Sequence, residues 1–191
     1  IRSAAVYVST RVGERFVRSR GVVDLTEGAG TLMILAIPKE TFPGEKRVAL
    51  IPASLAPLVK VGFKILVETG AGSGAGHSDE AYVAKGAEVV TSRAELFRQA
   101  EVILQVRAVG ANPHLGRNDF DLLKPNQIVI AMADPLWRPD LVREFAQKRA
   151  SLYALELVPR TTRAQAMDVL SSMATIAGYK GVLLAATHLS K

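Results

Sequence analysis

The chain predicts an α/β fold, a doubly wound, mostly parallel sheet ending in a long helix, and three observations carry that expectation. From Met33 onward short β-rich runs alternate with helical segments, and crossovers of that length join parallel strands. Ile128-Val129-Ile130-Ala131-Met132 is apolar at every position instead of alternating, as suits a central strand covered on both faces. The last stretch, from about Ala164, keeps a helical period for roughly 25 residues, some 37 Å at about 1.5 Å per residue.

Taken in order, residues 33–37 read as a first strand. Residues 52–61 read as a helix that Pro52 opens and Gly62 closes, and residues 64–68 as a second strand. Ser78 is expected to cap a helix over residues 79–85, followed by a short strand at 88–90, and Ser92 a helix over 93–100. A strand at 102–106, a short turn near Phe120, the strand 128–132, a helix over 138–149 and a strand at 152–155 complete the alternation. Residues 164–191 form the long helix, with neither Gly nor Pro to stop it at its end. Residues 1–32 start at Ile1, contain five arginines and show little period. They are expected to be a translated leader or an artefact outside the fold, with Met33 as the natural start, which divides the chain into 1–32, 33–163 and 164–191.

Composition bounds the function. At 191 residues and 49% hydrophobic, the chain can build one compact core. Its net charge of +6 is scattered, which argues against a nucleic-acid surface and suits an anionic cofactor. Cysteine is absent, and His77, His114 and His188 lie far apart without a ligand spacing, so no metal site is expected. The longest near-apolar stretch, residues 167–186, includes Asp168, Lys180 and several hydroxyls, which falls short of a membrane span of about 20 apolar residues and makes the fragment itself soluble by expectation.

Gly70-Ala71-Gly72-Ser73-Gly74-Ala75 follows a strand and fits the spacing of a dinucleotide-binding turn. That mechanism needs a helix N-terminus facing pyrophosphate, yet Gly76-His77-Ser78 continues as loop and Asp79 and Glu80 open the helix. Two carboxylates at that end repel phosphate, so the reading is a strand-to-helix loop and not a phosphate cradle.

The stretch from Arg160 to Tyr179 carries more. On a helical period Met167, Leu170, Ala174, Ala177 and Leu184 form an apolar stripe suited to packing, while Gln165, Asp168, Ser171 or Ser172, Thr175 and Tyr179 recur on another face. With Arg160 and Arg163 nearby, that face offers donors and acceptors suited to an uncharged polar group such as a carboxamide. The competing reading is local: Thr162 or a neighbour caps the helix, Asp168 complements its dipole, and the arginines face solvent.

Residues 163–181, Arg-Ala-Gln-Ala-Met-Asp-Val-Leu-Ser-Ser-Met-Ala-Thr-Ile-Ala-Gly-Tyr-Lys-Gly, together with the opening Met33-to-Pro52 stretch, resemble the first domain of the proton-translocating NAD(P) transhydrogenase alpha subunit, in the alanine dehydrogenase/transhydrogenase N-terminal family. The resemblance spans about residues 33–191. It implies a flavodoxin- or Rossmann-like first domain whose long helix leads to an NAD-binding Rossmann domain that this sequence does not contain. It also implies NAD as cofactor, with NADP on a separate component, and hydride transfer coupled to proton translocation. Arg160, Gln165, Asp168 and Ser171 would line the nicotinamide end of NAD(H). Gln165 and Asp168 would be the catalytic positions, Gln165 facing the other nucleotide. The partners it implies are a second copy in a homodimer and the NADP(H)-binding and membrane components, at the cytoplasmic face of a bacterial inner membrane.

Departures from the family pattern are specific. Met173 stands where the family commonly has Gln, and Gly181 where Ala is usual, a change costing an exposed helix about 1 kcal/mol. Arg47 matches the arginine that grips substrate carboxylate in alanine dehydrogenases. Arg107, however, takes the place of their catalytic lysine and Asp134 that of their catalytic histidine, and an arginine cannot act as a base near neutral pH. Two other readings stand beside the first: a truncated, catalytically silent folding or interaction domain, and an alanine dehydrogenase-like NAD-dependent oxidoreductase, a reading that Arg107 and Asp134 weaken. Arg47 and Arg107 can equally be structural, paired with Glu40, Glu45 or another acid.

Overall fold

The computed structural model describes residues 33–189; the leader expected at 1–32 lies outside the described residues. Six strands form one sheet: β1 (Ile34–Ile37), β2 (Lys64–Glu68), β3 (Ala87–Val90), β4 (Val102–Arg107), β5 (Ile128–Met132) and β6 (Ser151–Ala154). Their order is β3-β2-β1-β4-β5-β6, and every neighbouring pair is parallel. The doubly wound sheet is thus as the sequence indicates, and fully parallel. Six α-helices accompany it among the described residues: α1 (Ala56–Lys60), α2 (Asp79–Val83), α3 (Arg93–Gln99), α4 (Gly116–Leu122), α5 (Pro139–Lys148) and α6 (Val169–His188).

Side-chain alternation along the central strands creates two cores. Leu35, Ile37, Ile65 and Val67 join Leu55 and the α2 residue Tyr82 on one face. Ala36, Leu66, Ile103, Val129 and Ala131 pack on the other with Leu96 and Phe97 of α3, Phe120 of α4 and Phe145 of α5. Both faces of the sheet are covered, which is why β1, β2 and β5 read as almost unbroken apolar runs.

Three local expectations need correction. Residues 52–61 are not one helix but a 3-10 turn, Pro52–Ser54, followed by α1. Pro57 explains the break: it has no N–H to donate to Ala53, so a continuous helix through it would lack that bond. Near Phe120 there is a helix, α4, and not a short turn. Its Gly, Asn and Asp content gives weak intrinsic propensity, and tertiary contacts hold it instead. Phe120 stacks edge-on against Phe145 at 4.9 Å, and Asp119 is buried in an ion pair.

The third correction concerns the end of the chain. The final helix starts at Val169, after a 3-10 turn at Gln165–Met167 and an extended Asp168 (φ −78°, ψ 92°). Gln165 therefore does not share the helix with Ser171. Beyond its first residues α6 is exposed along its length, and none of its residues is buried. The stripe Met167, Leu170, Ala174, Ala177 and Leu184 accordingly meets no core among the described residues. With Asp168 outside the helix as its cap, Lys180 is the one charged residue within it among Asp, Glu, Lys and Arg. The helix is then long and apolar enough to cross a membrane by length and composition, with a mean hydropathy of 1.4, contrary to the expectation for residues 167–186.

Candidate functional site

The topological switch point lies between β1 and β4, whose crossovers leave in opposite directions, and in open parallel sheets the crevice beyond those strand ends is the usual ligand site. The residues there are charged. Glu45, in the loop after β1, has a side chain only 6% exposed. Arg47 donates to both its oxygens, Nε to Oε1 at 2.7 Å and Nη2 to Oε2 at 2.6 Å. Arg107, at the end of β4, donates Nε to Oε2 at 3.0 Å, and its guanidinium lies 4.3 Å over the Phe42 ring. Above all the hydrogen bonds from Arg47 hold the Glu45 carboxyl down at about 2, against the opposing effect of burial. Arg47 and Arg107 are thus brought together, but around an internal acid.

Asp134 follows β5 in a left-handed conformation (φ 47°) and is exposed. Its N–H donates to Glu156 Oε1, as does Ala133 N–H at 2.8 Å. Close backbone approach defines this corner: a Cβ on Gly110 would lie 1.6 Å from the Ala133 carbonyl oxygen, so only glycine fits. Neither lysine nor histidine occupies the matching positions at these strand ends, since Arg107 and Asp134 stand there. Arg107 cannot serve as a base near neutral pH, and Asp134 offers a carboxylate of different charge and proton affinity in place of an imidazole.

At the glycine loop, Gly70 N–H donates to Asp79 Oδ1 at 2.9 Å, and Thr69 Oγ1 donates to Asp79 Oδ2 at 2.6 Å. The protein's own carboxylate therefore occupies the first amide a phosphate would use. Gly72 serves packing: a Cβ there would sit 2.6 Å from a Tyr82 ring carbon, and the Tyr82 hydroxyl donates to the Leu50 carbonyl at 2.8 Å. The loop reads as a packed strand-to-helix connection.

The second polar group sits where the chain enters α6. Asp168 Oδ1 accepts from Leu170 N and Ser171 N, each at 3.0 Å, and Ser171 Oγ donates to Oδ2 at 2.6 Å. Asp168, and not Thr162, is the helix cap. Its carboxyl is held below its ordinary range, first by the Ser171 hydroxyl, then by the amides and by the nearby positive charge of Arg160. Asp168 and Ser171 are thus hydrogen-bonded at this helix end, Arg160 is near enough for its charge to act on Asp168, and Gln165 lies one turn earlier. Arg160, Arg163, Gln165 and Ser171 are exposed, and Gln165 makes no side-chain hydrogen bond among the described residues. No group of three His, Cys, Asp or Glu able to hold a metal occurs among the described residues.

Sequence reasoning missed Glu156, which ties the end of β5 to the segment after β6, and the buried pair of Gln105 and Asp119. Neither had a motif or period to reveal it.

Comparison with known proteins gives a consistent neighbourhood. The family model described as "Alanine dehydrogenase/PNT, N-terminal domain" matches residues 36–177. The NAD(P) transhydrogenase subunit alpha of Cereibacter sphaeroides is 42% identical over 159 residues, covering 83% of this chain and 29% of that one. An alanine dehydrogenase of Methanococcus maripaludis is 34% identical over 83% of this chain and 40% of its own length. In structure, the transhydrogenase from Sinorhizobium meliloti superposes with a TM-score of 0.73 at 38% identity, covering 83% of this chain and 45% of that one. The chain spans less than half the length of each of these relatives.

Proposed function

Because the chain belongs to the alanine dehydrogenase/PNT N-terminal domain family, we propose that it serves as the first domain of the NAD(H)-binding component of an NAD(P) transhydrogenase. In this reading Arg160, Gln165, Asp168 and Ser171 contact the nicotinamide end of NAD(H), for transfer of hydride to NADP+ on a separate component. Transfer between two nicotinamides needs no acid or base from the protein. The cofactors supply the redox chemistry, while the chain's part is to position the ring and exclude water. A carboxamide needs both a donor and an acceptor, and the entrance to α6 offers an exposed amide at Gln165 beside a carboxylate, a hydroxyl and a guanidinium. That polar cluster, on a surface not covered by the rest of the domain, is the observation that carries the proposal.

The same reading places a second copy of the subunit, the NADP(H)-binding component and a membrane component as partners, at the cytoplasmic face of a bacterial inner membrane, with transfer coupled to proton movement. Arg107 and Asp134 weigh against an alanine dehydrogenase. The self-occupied glycine loop gives some support to the plainer alternative of a folding or interaction domain that is silent by itself.

The test uses the subunit carrying this domain, reconstituted with its NADP(H)-binding component. Asp168→Asn preserves the cap, since Asn caps about as well as Asp, while removing the charge. It is expected to lower hydride transfer by about 10- to 100-fold, as is Gln165→Asn, with helix content unchanged. Unchanged turnover in both variants would remove these residues from the site.

A further inference from the structure

We infer that Glu40 is a proton-operated latch that clamps the end of β4, and with it Arg107, against the loop carrying Glu45 and Arg47. The inference is independent of whether a dinucleotide binds here.

Strand lengths create the position. β1 pairs with β4 only at Leu35 with Val102 and Ala36 with Ile103, because β1 ends at Ile37 while β4 runs on to Arg107. The ladder between β4 and β5 also shifts register between Leu104 and Arg107. In a regular strand consecutive N–H groups point to opposite sides; at a register shift neighbouring amides can turn the same way. The N–H groups of Val106 and Arg107 both turn to Glu40, donating to Oε1 at 2.6 Å and to Oε2 at 3.2 Å. One carboxylate thereby stands in for the strand that β1 does not supply.

The two bonds require the charged form. A carboxylate accepts at both oxygens, whereas a protonated carboxyl turns one of them into a donor facing an N–H, so protonation keeps one amide bond and loses the other. The charged groups around Glu40 are Glu45 and Arg47 from its own loop, Arg93 from α3, and Arg107 from β4. Burial, aided by repulsion from Glu45, pushes the Glu40 carboxyl up to about 7, although the two amides and Arg93 oppose it. Glu45 in contrast is kept charged by Arg47. Two carboxyls in one cluster therefore titrate far apart, and proton uptake near neutrality takes the Glu40, Glu45, Arg47 and Arg107 group from neutral to a net charge of +1.

The whole chain, labelled with 13C at Glu side-chain carboxyls and with 15N, is titrated by NMR from about pH 3 to 9. One Glu carboxyl is expected to titrate near 7, with the amides of Val106 and Arg107 moving over the same midpoint. Hydrogen-exchange protection of those amides, corrected for intrinsic rate, should be roughly tenfold higher at pH 8 than at pH 6. Glu40→Gln should remove the transition and equalise the protection. Amides that stay flat across the range, or that move only with an ordinary carboxyl midpoint near 4.5, overturn the inference. The wild-type titration decides this even where the variant fails to fold.

Discussion

Arg93, on α3, joins α4, the segment after β1 and the end of β2 through one guanidinium. Its Nε and Nη2 donate to the two oxygens of Asp119, each at 2.6 Å, while Nη1 donates to the Lys39 carbonyl at 3.0 Å and to Glu68. Asp119, only 4% exposed, also accepts from Gln105 Nε2 at 2.7 Å. Removing one member of such a network leaves the others buried and unpaired. Asp119→Ala should therefore cost about 3–5 kcal/mol in urea unfolding, and the Arg93→Ala, Asp119→Ala double variant should cost less than the sum of the two singles. Strict additivity would show that the pair does not couple. At this scale the sequence is least legible. Asp119 stands in a polar stretch that looks like surface, and charged residues are rarely buried unless paired, so only the fold reveals the partner. Arg47 and Arg107 were legible as ion-pair members with Glu40, Glu45 or another acid as partner, and the folding of the β1 loop against the end of β4 is what selects Glu45 as the acid they share.

Elements were more legible where a period and a cap agree. Ser92 accepts from Glu95 N as a cap should, and the bounds of β2 and β5 follow from their apolar runs. α4 escaped because its stability comes from Phe120 and Asp119 and not from helix propensity. α6 was foreseen as long, but its start was misplaced by about five residues because Asp168 takes the capping conformation that the local pattern allowed Thr162 or a neighbour to take. Within α6, a Cβ on Gly181 meets nothing within 4 Å. Gly181→Ala should then favour the helix by about 1 kcal/mol. Far-UV circular dichroism should show added helicity with no change in the unfolding midpoint of the sheet, because α6 lies outside both cores. A shift of that midpoint would mean the helix is coupled to the domain more tightly than its exposure indicates.

For the molecule as a whole, α6 stands outside both cores. The sheet and its covering helices bury their apolar faces against one another, whereas Ile176, Tyr179 and Val182 on α6 remain 62%, 70% and 69% exposed. Among the described residues, most of the circumference of α6 is apolar and meets no core. A chain ending at Asp168 should accordingly keep its thermal midpoint to within about 2 °C, since a change of about 1 kcal/mol would move a domain of this size by roughly 2–4 °C. It should also lose binding of a hydrophobic dye. A large fall in the midpoint would show that α6 props up the sheet.

The sequence by itself determined the class of the fold, the sequence of strands and helices, and the polar entrance to the last helix, because those follow from local period, turn chemistry and motif. It also indicated that the glycine loop is not a phosphate site, from the acids that follow it. Only the tertiary structure decided that Asp79 fills that loop's first amide, that Glu45 draws two arginines together, and that Glu40 substitutes for a missing strand at the switch point. Those features depend on which strand ends lie side by side. Strand order is set by the packing of both sheet faces at once, a global balance of burial that no local pattern records.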